Sequence, residues 1–191
     1  MLEDGSVYEG TARGDFKETA CEIVFNTSMT GYVEILTDPS YAGQGVVMTY
    51  PMIGNYGISR EDFESERLQP SAFIVHELSS DPSNFRCTDT IENLLKEYNI
   101  PCISGVDTRA VVKKLRESGT MRGVLTSDIG DRERLMDVIK SFRQIDLVGS
   151  VTAKQTKVYG EENTGAEIAL MDFGTKRNII NNLVKRNCIV T

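Results

Sequence analysis

Short apolar runs alternate with helix-forming segments over residues 71–142, and this alternation restricts the fold more than any other feature of the chain. Residues 72–75, 101–106 and 123–126 are short, largely apolar runs, which predicts three strands. Apolar residues recur at helical spacing after each run: Ile91, Leu94, Leu95 and Tyr98, then Val111, Val112 and Leu115, then Leu135, Val138, Ile139 and Phe142. The chain is therefore predicted to be an α/β protein, with right-handed crossovers wherever successive strands are parallel.

Polar residues and glycines mark the ends of the predicted helices. Asp89, followed three residues later by Glu92, resembles a capping box, and Pro101 lies beyond the end of that helix. Asp107 is predicted to cap the next helix, which stops at Gly119.

The first fifty residues are predicted to be rich in strands. Asp4 and Gly5 form a turn signal of the kind found in hairpins. Residues 21–25 and 45–50 are apolar runs bounded by Asn, Gly, Pro or Ser, and each predicts a strand.

The helical and strand periodicity is lost over residues 150–165, which are rich in Thr, Lys, Glu and Gly and are predicted to be a linker. A strand at 168–171, a loop at 172–174, a helix through Ile179, Ile180, Leu183 and Val184, and a strand at 188–191 follow. One strand–helix–strand unit cannot cover both faces of its own sheet. We therefore expect a domain at 1–149, a linker at 150–165, and at 166–191 the truncated start of a second domain.

Composition excludes several classes of function. Lys and Arg total 21 and Asp and Glu total 28, so the net charge is −7, which argues against nucleic acid as a partner. No apolar run approaches the roughly 18–20 residues that span a bilayer, so no membrane association is expected. Four scattered cysteines indicate a reducing compartment, and we expect a cytoplasmic protein. The single histidine, His76, makes a metal site improbable on composition, and none is predicted.

Three polar segments are candidates for chemistry. Residues 25–32 combine Asn, Thr, Ser and Gly after a strand, but a polar connection bonded to its own backbone explains them more simply. Ser40 follows Asp38 and Pro39 in a turn; as a nucleophile it would need a base such as His76, and a serine hydrolase is the least favoured hypothesis. Residues 60–67 carry four acids and two arginines, which favours a solvated face.

Seven segments, in order along nearly the whole chain, resemble the small, glutamine amidotransferase subunit of carbamoyl-phosphate synthetases. They are LEDG at 2–5, FNTSMTGY at 25–32, EILTDPSY at 34–41, TYP at 49–51, IGNYG at 53–57, GVDTR at 105–109, and DFG at 172–174 with Lys176, Asn178 and Ile179.

The resemblance implies a fold and an activity. An N-terminal swivelling β/β/α domain is expected at 1–149, followed at 166–191 by the start of a doubly wound, flavodoxin-like class I glutaminase domain. Such subunits hydrolyse glutamine with a Cys-His-Glu triad and send ammonia to a large subunit, which uses ATP, Mg²⁺ and bicarbonate to make carbamoyl phosphate for arginine and pyrimidine synthesis. The expected partners are that large subunit and glutamine.

The resemblance also implies roles for two residues. Ser40 is expected to help bind the glutamine substrate, and Lys176 to lie beside the same site. The triad itself does not match any residue here, because Cys188 lacks the flanking glycines of a nucleophile turn. We expect no catalytic residue, no bound cofactor and no activity in these 191 residues alone.

A stand-alone binding or scaffolding module of the same fold, without glutamine chemistry, is the alternative hypothesis. An exposed apolar surface would favour a subunit that docks on a larger partner, and an evenly polar surface would favour the stand-alone module.

Overall fold

The computed structural model describes residues 1–14, 16–143 and 146–191. Its strands are β1 (Thr11–Arg13), β2 (Thr19–Asn26), β3 (Gln44–Met48), β4 (Met52–Ile53), β5 (Ala72–Ile74), β6 (Glu77–Leu78), β7 (Cys102–Ser104), β8 (Met121–Leu125), β9 (Glu167–Ile168) and β10 (Ile189–Val190). Its helices are α1 (Tyr32–Thr37), α2 (Ile91–Glu97), α3 (Thr108–Ser118), α4 (Arg132–Ser141), α5 (Leu147–Val151) and α6 (Arg177–Val184).

Six strands form the main sheet in the order β1-β7-β5-β3-β2-β8. The four inner strands are parallel, whereas β1 and β8 run antiparallel to them at the two edges. The carboxyl ends of β2, β3, β5 and β7 therefore lie along one edge of the sheet. The predicted α/β class is confirmed.

Side chains alternate between the two faces of the sheet, as the pleat of a strand requires. In β3, Val46 and Met48 belong to a core cluster with α1 and α2, while Val47 belongs to a second cluster with α3. A third, smaller cluster joins Val124 of β8 to Leu135 and Ile139 of α4. The sheet is thus covered by helices on both faces.

Most elements predicted from periodicity are present. The runs at 21–25, 45–50, 72–75, 101–106 and 123–126 contain or overlap β2, β3, β5, β7 and β8. Asp107 caps α3 as predicted, because its Oδ1 accepts a hydrogen bond from the Ala110 amide at 2.9 Å. Gly119 follows the last residue of α3 with φ of 82°.

The start of α2 differs from the prediction by one residue. The cap is Thr90, whose Oγ1 accepts from the Asn93 amide at 3.2 Å. Asp89 instead accepts from the Thr90 amide at 2.7 Å and from Asn93 Nδ2 at 2.8 Å. Two polar residues compete for the capping position, and the hydroxyl one residue closer to the helix takes it.

The hairpin predicted around Asp4 and Gly5 is wrong. The turn itself forms, since the Gly5 amide donates to the Leu2 carbonyl at 2.9 Å. Leu2, however, forms an isolated bridge with Gly123, and residues 6–10 are not in a strand. The turn therefore attaches the N-terminus to β8 and does not connect two paired strands.

The second part of the structure is a small parallel unit in which α6 connects β9 to β10. The predicted linker differs at its two ends: α5 extends to Val151, and Tyr159 forms an antiparallel bridge with Val190. β9 ends at Ile168, three residues before the predicted end at 171. Among the described residues, no helix is long and apolar enough to cross a membrane.

Candidate functional site at the junction of the two parts

Ser40 lies in a 3₁₀ turn, Pro39–Tyr41, that connects α1 to β3. Asp38 caps this turn, with its Oδ1 accepting from the Ser40 amide at 2.9 Å. Asp38 and Pro39 are buried, whereas Ser40 is exposed. The turn therefore fixes the backbone of Ser40 and presents its hydroxyl to the outside.

The residues on either side of the turn are anchored as well. The hydroxyl of the fully buried Thr37 donates to the Val33 carbonyl at 2.9 Å and accepts from the Glu64 amide at 2.9 Å. The Tyr41 hydroxyl accepts from Asn26 Nδ2 at 2.9 Å. The position of the Ser40 turn is thus determined by contacts to α1, to residues 64–65 and to the end of β2.

The loop after β9 packs directly on the Ser40 turn. Asp172 Oδ1 accepts from the amides of Gly174 at 3.0 Å and Thr175 at 2.7 Å, which closes the loop. Gly174 has φ of 104°, and a Cβ atom placed on it would lie 3.0 Å from Pro39 Cβ and 2.7 Å from a Val151 methyl carbon. Only glycine allows this backbone angle and this close an approach.

Lys176 reaches back to the turn from the first residue before α6. Its Nζ lies 2.7 Å from Asp38 Oδ2, whose side chain is only 9% exposed. The hydrogen bond to Asp38 raises the pKa of Lys176, so the ammonium form is favoured. The structure therefore brings the two predicted site residues, Ser40 and Lys176, together through Asp38.

Glu64 makes a second connection between the same two parts. Its carbonyl accepts from the Arg177 amide at 2.8 Å, and its Oε2 accepts from the Asn178 amide at 2.9 Å. The N-cap residue of α6, Lys176, makes no side-chain cap, so Glu64 supplies the missing acceptor for the start of this helix. A carboxylate there is also favoured by the helix dipole.

The solvated face predicted for residues 60–67 is largely present, because Arg60, Glu61, Glu66 and Arg67 are exposed, but several of its charges also have protein partners. Arg60 pairs with Glu97 at 2.7 Å, and Asp62 pairs with Arg86 at 2.6 Å. Glu66 pairs with Lys157 at 3.2 Å, and Glu64 bonds to the start of α6. These charges also connect neighbouring elements, and a local charge pattern does not identify such partners.

The polar segment at 25–32 is anchored near its two ends, while residues 27–30 are exposed. Asn26 Oδ1 accepts from the Ser28 amide at 2.7 Å, and the Tyr56 hydroxyl accepts from the Gly31 amide at 2.6 Å. A polar cavity of about 230 Å³ lies beside it, with Glu34 and Arg86 in its wall. Burial raises the pKa of Glu34.

His76 and Ser40 lie at opposite ends of the sheet. Ser40 precedes β3, whereas His76 follows β5, and these two strands are adjacent and parallel. The His76 ring is exposed, and its Nδ1 lies 3.0 Å from the Val106 carbonyl oxygen. The topology therefore separates the pair that a serine hydrolase would require.

Two cysteine thiols lie in surroundings that disfavour the thiolate form, which is the nucleophilic form. Burial raises the pKa values of Cys21 and Cys102 to about 12, so the thiolate forms of both are scarce at neutral pH. Within residues 1–14, 16–143 and 146–191, no three His, Cys, Asp or Glu side chains are grouped so as to hold a metal ion.

The fold and this junction define an α/β protein in which a buried aspartate joins a serine-bearing turn to a second, parallel unit. Comparison with known proteins is specific: the sequence profile of the carbamoyl-phosphate synthase small chain, CPSase domain, matches residues 1–125. The chain belongs to this family.

The sequence similarity to individual relatives extends over the whole chain. A carbamoyl phosphate synthase small chain of Clostridium perfringens is 48% identical over 192 residues, which cover 100% of this chain and 54% of that protein. The corresponding protein of Archaeoglobus fulgidus is 47% identical over 195 residues, covering 100% and 54%. That of Listeria monocytogenes serotype 4b is 44% identical over 192 residues, covering 100% and 52%. The chain thus spans about half the length of the curated relatives it matches.

Proposed function

We propose that this chain is the N-terminal part of the small subunit of a glutamine-dependent carbamoyl-phosphate synthetase. The intact subunit would hydrolyse glutamine and deliver ammonia to a large subunit, where ATP, Mg²⁺ and bicarbonate are used to make carbamoyl phosphate in the cytoplasm. The observation that carries the proposal is the contact of the Ser40 turn with residues 172–176, because it brings Ser40 to the unit that resembles the start of a glutaminase domain.

Ser40 would bind glutamine without taking part in acyl transfer. Its backbone is fixed by Asp38 and its side chain is exposed, so the hydroxyl is available to the α-carboxylate or α-amino group of the substrate. Such a contact orients the substrate for a nucleophile supplied by another part of the subunit. Lys176 would assist at the same place.

A large subunit is the proposed partner, and exposed apolar side chains support it. Met29 is 67% exposed after β2, and Tyr50 and Met52 are 36% and 40% exposed after β3. The Thr49 amide donates to the Asn26 carbonyl at 2.9 Å, so these loops are adjacent. Phe85 is 95% exposed in a separate loop. The exposed apolar side chains on the adjacent segments after β2 and β3, rather than the isolated Phe85, favour a docking subunit over the stand-alone module.

The experiment compares wild type with Ser40→Ala in the full-length small subunit, assembled with its large subunit. Glutamine-driven and ammonia-driven carbamoyl phosphate synthesis are measured side by side. We expect Ser40→Ala to raise the KM for glutamine by about tenfold, which is the loss of one hydrogen bond to a charged group. The ammonia-driven rate should stay at the wild-type value because it bypasses glutamine.

Two results would contradict the proposal. An unchanged KM for glutamine would remove Ser40 from the substrate site and leave the 191 residues as a docking scaffold. Glutaminase activity of the 191-residue chain by itself would show that the chemistry does not depend on a separate Cys-His-Glu triad.

A further inference from the structure

We propose that Asp38 is a positioning residue for glutamine binding, and that Lys176 acts on the substrate through Asp38 and Ser40. This inference rests on the proposed function, since it assumes that Ser40 contacts glutamine. In this inference Asp38, Ser40 and Lys176 act as one unit, although they come from two parts of the chain.

Both carboxylate oxygens of Asp38 are used, and each serves a different purpose. Oδ1 accepts from the Ser40 amide at 2.9 Å, which sets the local shape of the turn. Oδ2 lies 2.7 Å from Lys176 Nζ, which ties the turn to the start of α6. A rotation of the carboxylate would disturb both contacts at once, so the Ser40 backbone and the Lys176 ammonium are mechanically coupled.

Burial of one end distinguishes this contact from an ordinary surface pair: Asp38 is buried, whereas Lys176 is 45% exposed. The Asp38 side chain is 9% exposed, so solvent screens its charge poorly. Pro39 packs on Gly174 beside it, and Glu64 holds the amides of Arg177 and Asn178. The first residues of α6 and the Ser40 turn are therefore held in one arrangement by contacts on three sides.

The Lys157–Glu66 pair offers a matched control in the same protein. It also links the segment after residue 150 to residues 64–67, with 3.2 Å between Nζ and Oε1. Its side chains are 56% and 80% exposed, and neither residue bonds to the Ser40 turn. Breaking this pair removes a charge contact between the same two parts without touching Asp38.

The test measures glutamine KM and ammonia-driven synthesis for four variants of the full-length small subunit with its large subunit. They are Asp38→Asn, Ser40→Ala, the double variant Asp38→Asn/Ser40→Ala, and the control Lys157→Gln. Asparagine keeps an oxygen for the Ser40 amide and removes the charge that holds Lys176. We expect Asp38→Asn to raise KM by about threefold to tenfold with the ammonia-driven rate unchanged. Lys157→Gln should leave KM at the wild-type value.

The double variant decides whether Asp38 acts through Ser40. If the two residues form one unit, its KM equals that of Ser40→Ala, because the effects of coupled residues do not multiply. The inference would be overturned if the KM increases of the two single variants multiplied in the double variant. It would also be overturned if Asp38→Asn left KM unchanged while Ser40→Ala raised it. Either result would leave the proposed function standing. An unchanged KM in Ser40→Ala would instead overturn the proposed function.

A second variant decides the matter if Asp38→Asn also lowers the ammonia-driven rate, which would indicate a folding or assembly defect. Lys176→Met breaks the same ion pair from its half-exposed end and leaves the Asp38–Ser40 contact in place. A raised KM that does not multiply with Ser40→Ala supports coupling through Asp38. An unchanged KM in Lys176→Met would overturn the coupling. A KM increase that multiplies with that of Ser40→Ala would also overturn it, because Lys176 would then bind glutamine independently of Ser40.

Discussion

The two parts of the molecule differ in how much apolar surface stabilises each of them. Residues 1–143 build a six-stranded sheet covered by helices, with core clusters on both faces. Among the described residues 146–191, only Ile180 and Val190 are buried apolar side chains, while Met171 and Phe173 are exposed. In the part of the chain that the structure describes, the second part is joined to the first by two ion pairs, at Asp38 and Glu66, by the hydrogen bonds of Glu64, and by the packing of Gly174 on Pro39. Polar contacts and one close backbone approach therefore contribute to the geometry of the junction at which we place the substrate.

The largest expected effect comes from the same substitution made in each part. Ile91→Ala empties a fully buried position between α2 and the sheet, and should lower the free energy of unfolding by about 2–5 kcal/mol. Ile180→Ala in α6 should cost about 1–2 kcal/mol, since Ile180 is 7% exposed and belongs to none of the three core clusters. Urea unfolding of the 191-residue chain measures both. Equal losses would contradict the contrast between the two parts.

Helix capping provides the next comparison. Asp107 caps α3 from within its own segment, so Asp107→Ala should destabilise the whole first part by about 1 kcal/mol. Glu64 caps α6 from the other part, so Glu64→Ala should speed hydrogen exchange at Asn178 and neighbouring amides with a smaller change in the urea midpoint. A global loss as large as that of Asp107→Ala would mean that the second part unfolds together with the first.

Thiol reactivity distinguishes core from periphery. Cys21 and Cys102 are buried in the first part, and burial raises their pKa values to about 12. Cys87 and Cys188 are only half-buried. Alkylation of the folded chain at pH 8, followed by peptide mass spectrometry, should label Cys87 and Cys188 and spare the other two until denaturant is added. Labelling of Cys102 in the native chain would show that the core opens.

The smallest expected effect is a loss of folding stability at acidic pH. Hydrogen bonds from Lys114 and Arg134 lower the pKa values of Asp4 and Glu18 to about 2, from usual values of 3.8 and 4.5. The stability these carboxylates contribute is therefore fully present above pH 4.5 and is lost as the pH falls toward 2. Both pairs are exposed, so the change is small. Glu18→Gln should flatten the fall of the urea midpoint between pH 4.5 and 2, and an unchanged slope would contradict the assignment.

Periodicity predicted the elements that depend on burial and missed those that depend on tertiary contacts. α3 has four buried residues at helical spacing and its own cap, so its sequence alone identifies it. α1 has six residues and is stabilised from outside, where Tyr32 stacks on Tyr56 at 4.1 Å and donates to the Gly57 carbonyl. β1 has three exposed residues and exists because it pairs with β7. Local sequence carries no signal for these two elements.

The candidate site shows the same limit. The family resemblance indicates Ser40 and Lys176, but spacing along the sequence does not predict their contact through Asp38. The Asp-Pro-Ser sequence does indicate a capped turn, which the structure contains, but it does not indicate that the second oxygen of Asp38 meets a lysine far along the chain. The charged run at 60–67 likewise does not indicate that Glu64 bonds to the start of α6.

The central claim is that the Ser40 hydroxyl touches glutamine, and a crystal structure tests it most directly. The crystal would hold the full-length small subunit, with the nucleophilic cysteine of its glutaminase domain replaced by alanine so that soaked glutamine persists. We predict a distance of about 2.6–3.2 Å between Ser40 Oγ and the α-carboxylate or α-amino group, with Lys176 still on Asp38. Glutamine bound in the glutaminase domain with the Ser40 hydroxyl directed elsewhere would contradict the account.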